Sequence, residues 1–269
     1  GAKALYTRHL VDLAFSHGKR SRLGNRGPLG PAFGAGPSRM KYKPLDQYGL
    51  IGDMNSAALV GTDGSIDWCC FPRFDSPSVF AAILDGERGG SFRISPADSG
   101  ATSSQEYILD TNVLVTRFTT DTGTLTLTDF MPLGNSHFSG PCPHEVHRVV
   151  RCTTGSVRVR CAFAPRLDYG RATTIFAALR GGVTARGGRQ TLSLVSHIQL
   201  TVTSGGAEGE FTLKQGDEAT FVLAYGHGRP AKPESYHTHR KLRQTIANWQ
   251  TVAESVTYDG MWRDQVVRS

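Results

Sequence analysis

The chain has 269 residues, of which 39% are apolar and 20% are charged, and its formal net charge is +7. This composition is typical of a globular protein of one large or two small domains and excludes a disordered or fibrous chain. Apolar runs fall short of the roughly 18 residues that a membrane-spanning helix needs, so we expect no membrane partner.

The positive charge is concentrated at the N-terminus. Residues 1–42 contain eight Lys or Arg and one acid, Asp12, so the rest of the chain is neutral overall. We interpret residues 1–39, which end in a Gly- and Pro-rich run, as a basic arm: a tag, an upstream extension or a transit-like segment. Binding of nucleic acid is not indicated, because the charge lies outside the body of the chain.

From Tyr42 onward, short apolar segments separated by turn residues predict antiparallel strands. Residues 57–60 and 66–71 flank a Gly-Thr-Asp-Gly turn, and residues 113–118 and 125–130 flank a second turn. Both pairs have the pattern of a β-hairpin. We expect roughly ten strands in all and therefore a mainly β, antiparallel β-supersandwich, larger than an immunoglobulin-sized domain.

The segment PCPHEVH is the one cluster in the sequence that suggests a zinc site. Its possible ligands are Cys142, His144, Glu145 and His147. The two prolines disrupt any helix that would align them, and we therefore expect ordinary polar residues and no metal.

The five cysteines include no CxxC pair, which favours burial in a reducing compartment and a cytoplasmic location. The alternative location is a mitochondrion or another organelle, if the arm descends from a transit peptide.

After residue 150, apolar and polar residues alternate more strictly along the sequence. Residues 157–163 place apolar side chains on one face and arginines on the other, and residues 193–202, 210–214 and 219–225 are further predicted strands. Residues 151–189 carry eight Arg and one acid, whereas residues 43–150 are acidic. This imbalance indicates complementary faces of one domain, or else a basic surface for an anionic partner.

The C-terminal part changes to a helical pattern. Residues 239–258 lack Pro and Gly, and Leu242, Ile246, Trp249 and Ala253 repeat at helical spacing. A second helical pattern opens at Met261 and stops at Ser269. We therefore divide the chain into an arm (1–39), a β-supersandwich domain (40–236), and a linker helix with the first turns of a further helical domain (237–269).

Several separated motifs carry a resemblance to a known family. The stretch from Tyr42, YKPLDQYGLIGDMNSAALVGTDGSIDWCCFPRFDSPSVFAAIL, resembles the opening of the glucoamylase- and trehalase-like proteins of glycoside hydrolase family 15. The resemblance continues in order through the segments Asp110–Leu114, Asp129–Pro132, Pro165–Gly170, Tyr258–Gly260 and Val266–Ser269. It covers about 228 of the 269 residues.

The resemblance implies the first part of a two-part enzyme. In that family an N-terminal β-supersandwich precedes a catalytic α/α toroid, and the toroid hydrolyses α-glucosidic bonds with inversion. Both catalytic carboxylates belong to the toroid, so we expect no catalytic residue in this chain. The implied partners are the toroid, in the same chain or a separate one, and an α-glucoside in the complete enzyme. No sequence motif points to a cofactor.

One stretch is our candidate for a site beside the substrate or between the domains. Asp67, Trp68, Arg73 and Asp75 combine an aromatic face for stacking with charged groups for hydroxyls. The alternative is that Trp68 belongs to the core and that Arg73 and Asp75 pair with each other. A different overall hypothesis is a sandwich without its enzyme, which serves as a structural or docking subunit through the basic arm or the arginines of 151–189.

Overall fold

The computed structural model of the chain describes residues 42–133, 143–226 and 231–268. The predicted arm, residues 1–39, lies outside these ranges. Two compact units are distinguished, and we treat each by itself: Tyr42–Ser255, and the stretch that follows from Val256.

Tyr42–Ser255 contains fifteen described strands, and every pairing between them is antiparallel. A short 3₁₀ helix at Leu45–Gln47 precedes the first strand, and another, Pro233–Tyr236, follows the last. The strands are β1 (Tyr48–Gly52), β2 (Ala57–Gly61), β3 (Ser65–Cys70), β4 (Ser78–Phe80), β5 (Gly90–Pro96), β6 (Thr102–Tyr107), β7 (Leu114–Thr120), β8 (Gly123–Phe130), β9 (Glu145–Pro165), β10 (Ile175–Leu179), β11 (Gly182–Gly187), β12 (Gln190–Ser196), β13 (Thr201–Thr203), β14 (Gly206–Lys214) and β15 (Glu218–Tyr225).

The strands form two sheets that share the long strand β9. Sheet A consists of β1–β5, β13, β14 and the second half of β9. Sheet B consists of β6–β8, β10–β12, β15 and the first half of β9. The predicted mainly β, antiparallel architecture with a C-terminal helix is confirmed.

Phenylalanine side chains from both sheets form the centre of the core. Phe92 and Phe163 of sheet A meet edge to face, with ring centroids 5.5 Å apart. Phe92 also meets Phe221 of sheet B at 6.5 Å. All three are fully buried, and each such side chain contributes about 1.5–3 kcal/mol through the apolar surface removed from water.

A buried ion pair links the two sheets. Arg148 of β9 donates Nε and Nη2 to the two carboxylate oxygens of Asp129 in β8, at 2.7 and 3.1 Å. Its remaining donors reach the carbonyl oxygens of Phe92 in β5 at 2.6 Å and of Gly64, in the turn between β2 and β3 of sheet A, at 2.8 Å. Arg148 and Asp129 are both fully buried. Because a buried charge is tolerated only when it is paired and hydrogen-bonded, this network fixes the two sheets against each other.

The two predicted hairpins are confirmed as β2–β3 and β7–β8. The predicted strand over 193–202 is wrong, because β12 ends at Ser196 and β13 begins only at Thr201. The reason is that β12 belongs to sheet B and β13 to sheet A, so the chain must cross between layers. The amide of Ile198 donates to the hydroxyl of Ser196 at 3.1 Å in this crossing.

Helix α1, Thr238–Glu254, lies over the outer face of sheet B, where Thr238 and Lys241 bond His147 and Glu145 of β9. Thr245 is fully buried, and its hydroxyl accepts the amide of Leu133 at 3.4 Å. In the predicted apolar stripe Ala253 is buried, whereas Leu242, Ile246 and Trp249 are half-buried. The helix ends at Glu254 rather than 258, where the Ser255 hydroxyl bonds the carbonyl of Val252 at 2.6 Å.

The stretch after Val256 contains one short helix, α2, at Arg263–Arg268. The amide of Arg263 bonds the carbonyl of Gly260 at 3.0 Å, which closes the turn before the helix. The helical pattern predicted from Met261 is therefore present as a single short helix.

Candidate functional site

The candidate residues lie on β3 and on the loop that follows it. In β3, Ile66 pairs with Val60 and Trp68 pairs with Leu59, so Asp67 is the extra residue of a β-bulge. After Cys70 the chain leaves the strand and presents Arg73 and Asp75 on an exposed loop. A bulge re-aims a side chain, and here it separates Asp67 from the other three candidates.

Asp67 belongs to a polar group that it forms with Lys43, just before the first strand, and Tyr48, the first residue of β1. Its carboxylate accepts hydrogen bonds from Lys43 Nζ at 2.5 Å and from the Tyr48 hydroxyl at 2.8 Å. Burial, assisted by this hydrogen bond, raises the pKa of Tyr48, whereas burial lowers the pKa of Lys43. Asp67 is buried, and its Oδ2 accepts both of these hydrogen bonds, so its carboxylate faces Lys43 and Tyr48.

Trp68 lies at the surface of sheet A and not in the core. Its ring is half-buried and tilts at 44° to the ring of Tyr169, with the centroids 6.4 Å apart. Tyr169 is 43% exposed, and the Arg171 guanidinium lies 5.2 Å from its ring centroid. The two aromatic rings therefore form one partly exposed surface, whose Tyr169 member was not among the sequence candidates.

Arg73 and Asp75 pair with each other, as one of the two sequence interpretations expects. Arg73 Nε and Nη2 donate to the two oxygens of Asp75 at 3.0 and 2.8 Å. Both side chains are more than half exposed. The pair stabilises the loop and still offers its outer edge to solvent, so the pairing and a role beside a ligand are compatible.

Backbone hydrogen bonds hold this loop to its neighbours. The amide of Phe74 donates to the carbonyl of Asn55 at 2.9 Å, and the amide of Tyr169 donates to Ser78 at 3.2 Å. Buried Gln190 bridges the loops, because its side chain donates to the carbonyl of Pro77 at 3.1 Å and accepts the amide of Asp168 at 2.7 Å. The aromatic surface is therefore presented on a fixed loop cluster.

Two adjacent residues of this cluster have left-handed backbone conformations. Asp168 and Tyr169 have φ angles of 54° and 56°. Such angles are uncommon for residues other than glycine and are found where the surrounding contacts impose them. Here the Arg171 guanidinium holds the Asp168 carboxylate at 2.7 Å, which fixes the turn that carries Tyr169.

The PCPHEVH segment forms a hydrogen-bonded group under helix α1. Cys142 lies outside the described residues. The Glu145 carboxylate accepts from His147 Nε2 at 2.8 Å and from the Lys241 ammonium, and His147 Nδ1 lies 2.8 Å from the Thr238 hydroxyl. Within the described ranges there is no cluster of three or more metal-ligating side chains.

Burial controls the charges of this group. Burial lowers the pKa of His147, and the Glu145 carboxylate offsets only part of that effect. A neutral imidazole that donates from Nε2 and accepts from Thr238 at Nδ1 satisfies both contacts. Burial also opposes ionisation of Glu145, yet His147 and Lys241 outweigh it and lower the pKa of Glu145. This carboxylate is therefore stabilised as an anion, unlike a general acid.

The cysteines behave as the sequence predicted where they are described. Cys69, Cys70, Cys152 and Cys161 are buried and unbridged. Burial raises the pKa of Cys161 to about 12. The Cys161 thiol is therefore a packing group and not an activated nucleophile.

In residues 42–133, 143–226 and 231–268, no helix combines the length and apolar character required to cross a lipid bilayer.

Comparison with known proteins identifies the family. Residues 38–249 match the family described as trehalase-like, N-terminal. The chain is 30% identical over 230 residues to a trehalase of Thermoplasma volcanium, and the match covers 85% of this chain and 37% of that protein. A trehalase of Thermoplasma acidophilum is 30% identical over 213 residues, which cover 78% of this chain and 36% of that protein.

A trehalase of Mycobacterium tuberculosis is 28% identical over 256 residues, with 87% of this chain and 37% of that protein covered. The chain thus spans little more than a third of the length of these curated relatives. The family resemblance of the sequence motifs is confirmed, and the chain belongs to the trehalase-like N-terminal domain family.

Proposed function

We propose that this chain is the non-catalytic N-terminal β-supersandwich of an α-glucoside hydrolase of the trehalase type. The single observation that carries the proposal is the family match over residues 38–249, together with relatives named trehalase whose larger part lies outside the match. In the complete enzyme that larger part is a helical toroid, which holds both catalytic carboxylates and hydrolyses its substrate with inversion. The sandwich supports the toroid.

The same proposal assigns the segments of the chain. Residues 40–236 form the sandwich domain, and residues 237–269 form the linker helix and the first turns of the toroid. The packing of α1 on sheet B, through Thr238 and Thr245, supports a linker that is fixed to the sandwich. We place the protein in the cytoplasm, or in an organelle if residues 1–39 descend from a transit peptide.

The described carboxylates support a non-catalytic role. Inverting hydrolysis needs a general acid and a general base about 6.5–9.5 Å apart, with room for a water between the base and the sugar. Asp67 accepts hydrogen bonds from Lys43 and Tyr48, and Asp75 is paired with Arg73. Asp129 is buried against Arg148. Each of these three is engaged with a cationic side chain of the sandwich itself.

The loop that carries Arg73 and Asp75 is the part of the sandwich that we place beside the sugar site. Their exposed outer edges offer a guanidinium and a carboxylate to substrate hydroxyls. In the complete enzyme, Arg73→Ala should raise KM for the glucoside and change kcat much less, because the loop binds and does not react. Arg160→Ala is the matched control, since Arg160 of β9 forms a similarly exposed ion pair with Glu208 of β14, outside this loop cluster.

Activity assays test the proposal directly. The complete gene product and the 269-residue chain are assayed with trehalose, maltose and malto-oligosaccharides, and the anomer released first is identified by NMR. We expect hydrolysis with inversion by the complete product and none by the chain alone, with circular dichroism to verify that the chain is folded. Turnover by the chain alone would refute the non-catalytic assignment.

A further inference from the structure

Three adjacent strands of sheet A carry an apolar row on their outer face. Leu50 of β1 pairs with Leu59 of β2, and Leu59 pairs with Trp68 of β3. All three side chains are half-buried. We call these residues, Leu50, Leu59 and Trp68, the outer row.

The neighbouring register shows which face this is. Ile51 pairs with Ala58, and Ala58 pairs with Cys69, and these three fully buried residues belong to the core between the sheets. Successive side chains of a strand point to opposite faces. The outer row therefore points away from the core, where a water-facing sheet would carry polar side chains.

The rest of the same outer face has the polar composition expected of a solvated surface. On β5, β9 and β14 it carries Arg93, Arg158, Arg160, Glu208 and Glu210. Arg160 pairs with Glu208 at 2.8 Å and Arg158 with Glu210 at 3.8 Å, and all four are about half exposed or more. One sheet face is therefore charged over β5, β9 and β14, whereas over β1–β3 it carries the apolar outer row beside the group of Lys43, Tyr48 and Asp67.

The apolar surface continues on the β3 side of the row, where the amide of Ile83, the residue before Leu84, donates to the carbonyl of Asp67 at 3.2 Å. Tyr169, 43% exposed, adjoins Trp68. Leu84 is 65% exposed and Tyr42 is 55% exposed, and the Tyr42 hydroxyl reaches the carbonyl of Leu84 at 3.4 Å. A contiguous apolar surface of this kind marks an interaction site more often than a monomer's free surface.

The surroundings favour a protein partner over a small or charged ligand. The charges beside the row are already neutralised, because Lys43 pairs with Asp67 and Arg171 with Asp168. Two shallow clefts of the described chain are lined mainly by residues 95–103 and 156–162, and no residue of the outer row lines either of them. Small-molecule sites are concave, whereas protein interfaces are flat and enriched in aromatic side chains.

We propose that the outer row, with Tyr169, is the surface on which the catalytic part of the same enzyme packs. The inference rests on the proposed function, since it assumes that a catalytic part follows. The occupant is indicated by the comparisons: the larger part of each related trehalase lies outside the region that this chain matches. This domain is little more than a third of such a protein. The remaining part of the same protein is therefore the partner that is always available to bury the apolar face.

Hydroxyl-radical footprinting tests the proposal without a mutation. Oxidation of Trp68, Tyr169 and Leu59 is compared between the 269-residue chain and the complete gene product. We expect protection of about threefold or more in the complete product, as for residues at the centre of a desolvated interface. Ile175, 68% exposed on β10, is the internal control and should be oxidised equally in both.

A matched pair of variants supplies an independent readout. Leu59→Asp places a charge in the outer row, and Thr212→Asp places one on the solvated part of the same face, on β14 opposite Arg158. In the complete product, Leu59→Asp should abolish the protection of Trp68 and Tyr169, and Thr212→Asp should leave it unchanged. Thermal unfolding of each isolated chain excludes misfolding, and Leu59→Thr replaces Leu59→Asp if the charge prevents folding.

The outcomes separate this proposal from the proposed function. Equal oxidation in both proteins overturns the docking surface even when the complete product hydrolyses α-glucosides. Protection already present in the isolated chain, with a dimer mass by light scattering, also overturns it and makes a second copy the occupant. Protection in a complete product that hydrolyses no α-glucoside supports docking of the remainder and refutes the proposed function.

Discussion

The two halves of β9 are buried differently, although they form one continuous strand. From Glu145 to Val150 every residue is buried, whereas from Val157 to Phe163 buried and more exposed residues alternate. The difference arises because helix α1 covers the outer face of the first half, while the outer face of the second half meets water. Strand alternation therefore reports one-sided burial, and a covering helix removes it.

The largest effect on stability should come from Arg148, the buried cation in the first half of β9. Arg148→Met leaves the Asp129 carboxylate buried and unpaired, and it removes hydrogen bonds to Phe92 and Gly64. We expect the free energy of unfolding to fall by about 3–5 kcal/mol. Urea denaturation of the 269-residue chain measures it.

The control is the corresponding substitution in the second half, Arg160→Met, at an exposed arginine. The double variant Arg148→Met with Asp129→Leu should recover part of the loss, because it no longer buries an unpaired charge. A loss for Arg148→Met no larger than for Arg160→Met would contradict the assignment of a buried link between the sheets.

The next effect concerns the junction between the halves of β9. Gly155 has φ of 70°, and a Cβ there would lie 2.1 Å from the carbonyl oxygen of Thr122. Gly155→Ala therefore adds a backbone clash to an unfavourable conformation, and we expect a loss of about 2–4 kcal/mol.

Gly216 separates the two causes, because its φ is 90° and a Cβ there would meet nothing within 4 Å. Gly216→Ala should cost only about 1–2 kcal/mol, the conformational part alone. Equal losses for the two variants in thermal unfolding would show that the Thr122 carbonyl moves aside and that the junction is not rigid.

Much of the fold is predictable from local pattern, and the failures have a common cause. The hairpins β2–β3 and β7–β8 follow from turn residues between apolar segments, and the second half of β9 follows from alternation. The first half does not, because Glu145, His147 and Arg148 look solvated in sequence and are buried by partners distant along the chain. Thr238, Lys241 and Asp129 are three of those partners.

The candidate site was predictable in part for a similar reason. The sequence places Trp68, Arg73 and Asp75 on β3 and its following loop, and the structure keeps them at the surface. It removes Asp67 from the group, because a bulge that no local pattern reveals turns it toward Lys43. Tyr169 was missed because it joins Trp68 through a turn 101 residues later in the chain.

A smaller effect is the pH dependence of folding stability that arises from the first half of β9, through His147 and Glu145. In the unfolded chain a histidine titrates near 6.5, and burial lowers the pKa of His147 below that value in the folded chain. The unfolded state therefore binds the proton first, so stability is complete above pH 6.5 and falls as the pH drops toward the folded pKa. Glu145, whose folded pKa lies below 4.5, adds a loss of the same sign at lower pH.

The substitution His147→Gln should lower stability at neutral pH and flatten its decline between about pH 7.5 and about pH 5, measured by urea denaturation. His239→Gln is the control, since it makes the same replacement at a histidine of helix α1 whose side chain is exposed. An unaltered slope in His147→Gln would mean that another group causes the acid sensitivity.

The smallest effect belongs to the second half, where β9 faces water. Arg160 and Glu208 form an ion pair at 2.8 Å, with both side chains about half exposed. A double-mutant cycle with Arg160→Met and Glu208→Gln should give a coupling of about 0.2–1 kcal/mol, because solvent and side-chain entropy offset the attraction. The coupling should shrink further in about 1 M salt, where exposed charges are screened within about 3 Å. A coupling as large as that of Arg148 with Asp129, or one that resists salt, would mean that the outer face over β9 is covered in solution, and the contrast between the two halves of the strand would then fail.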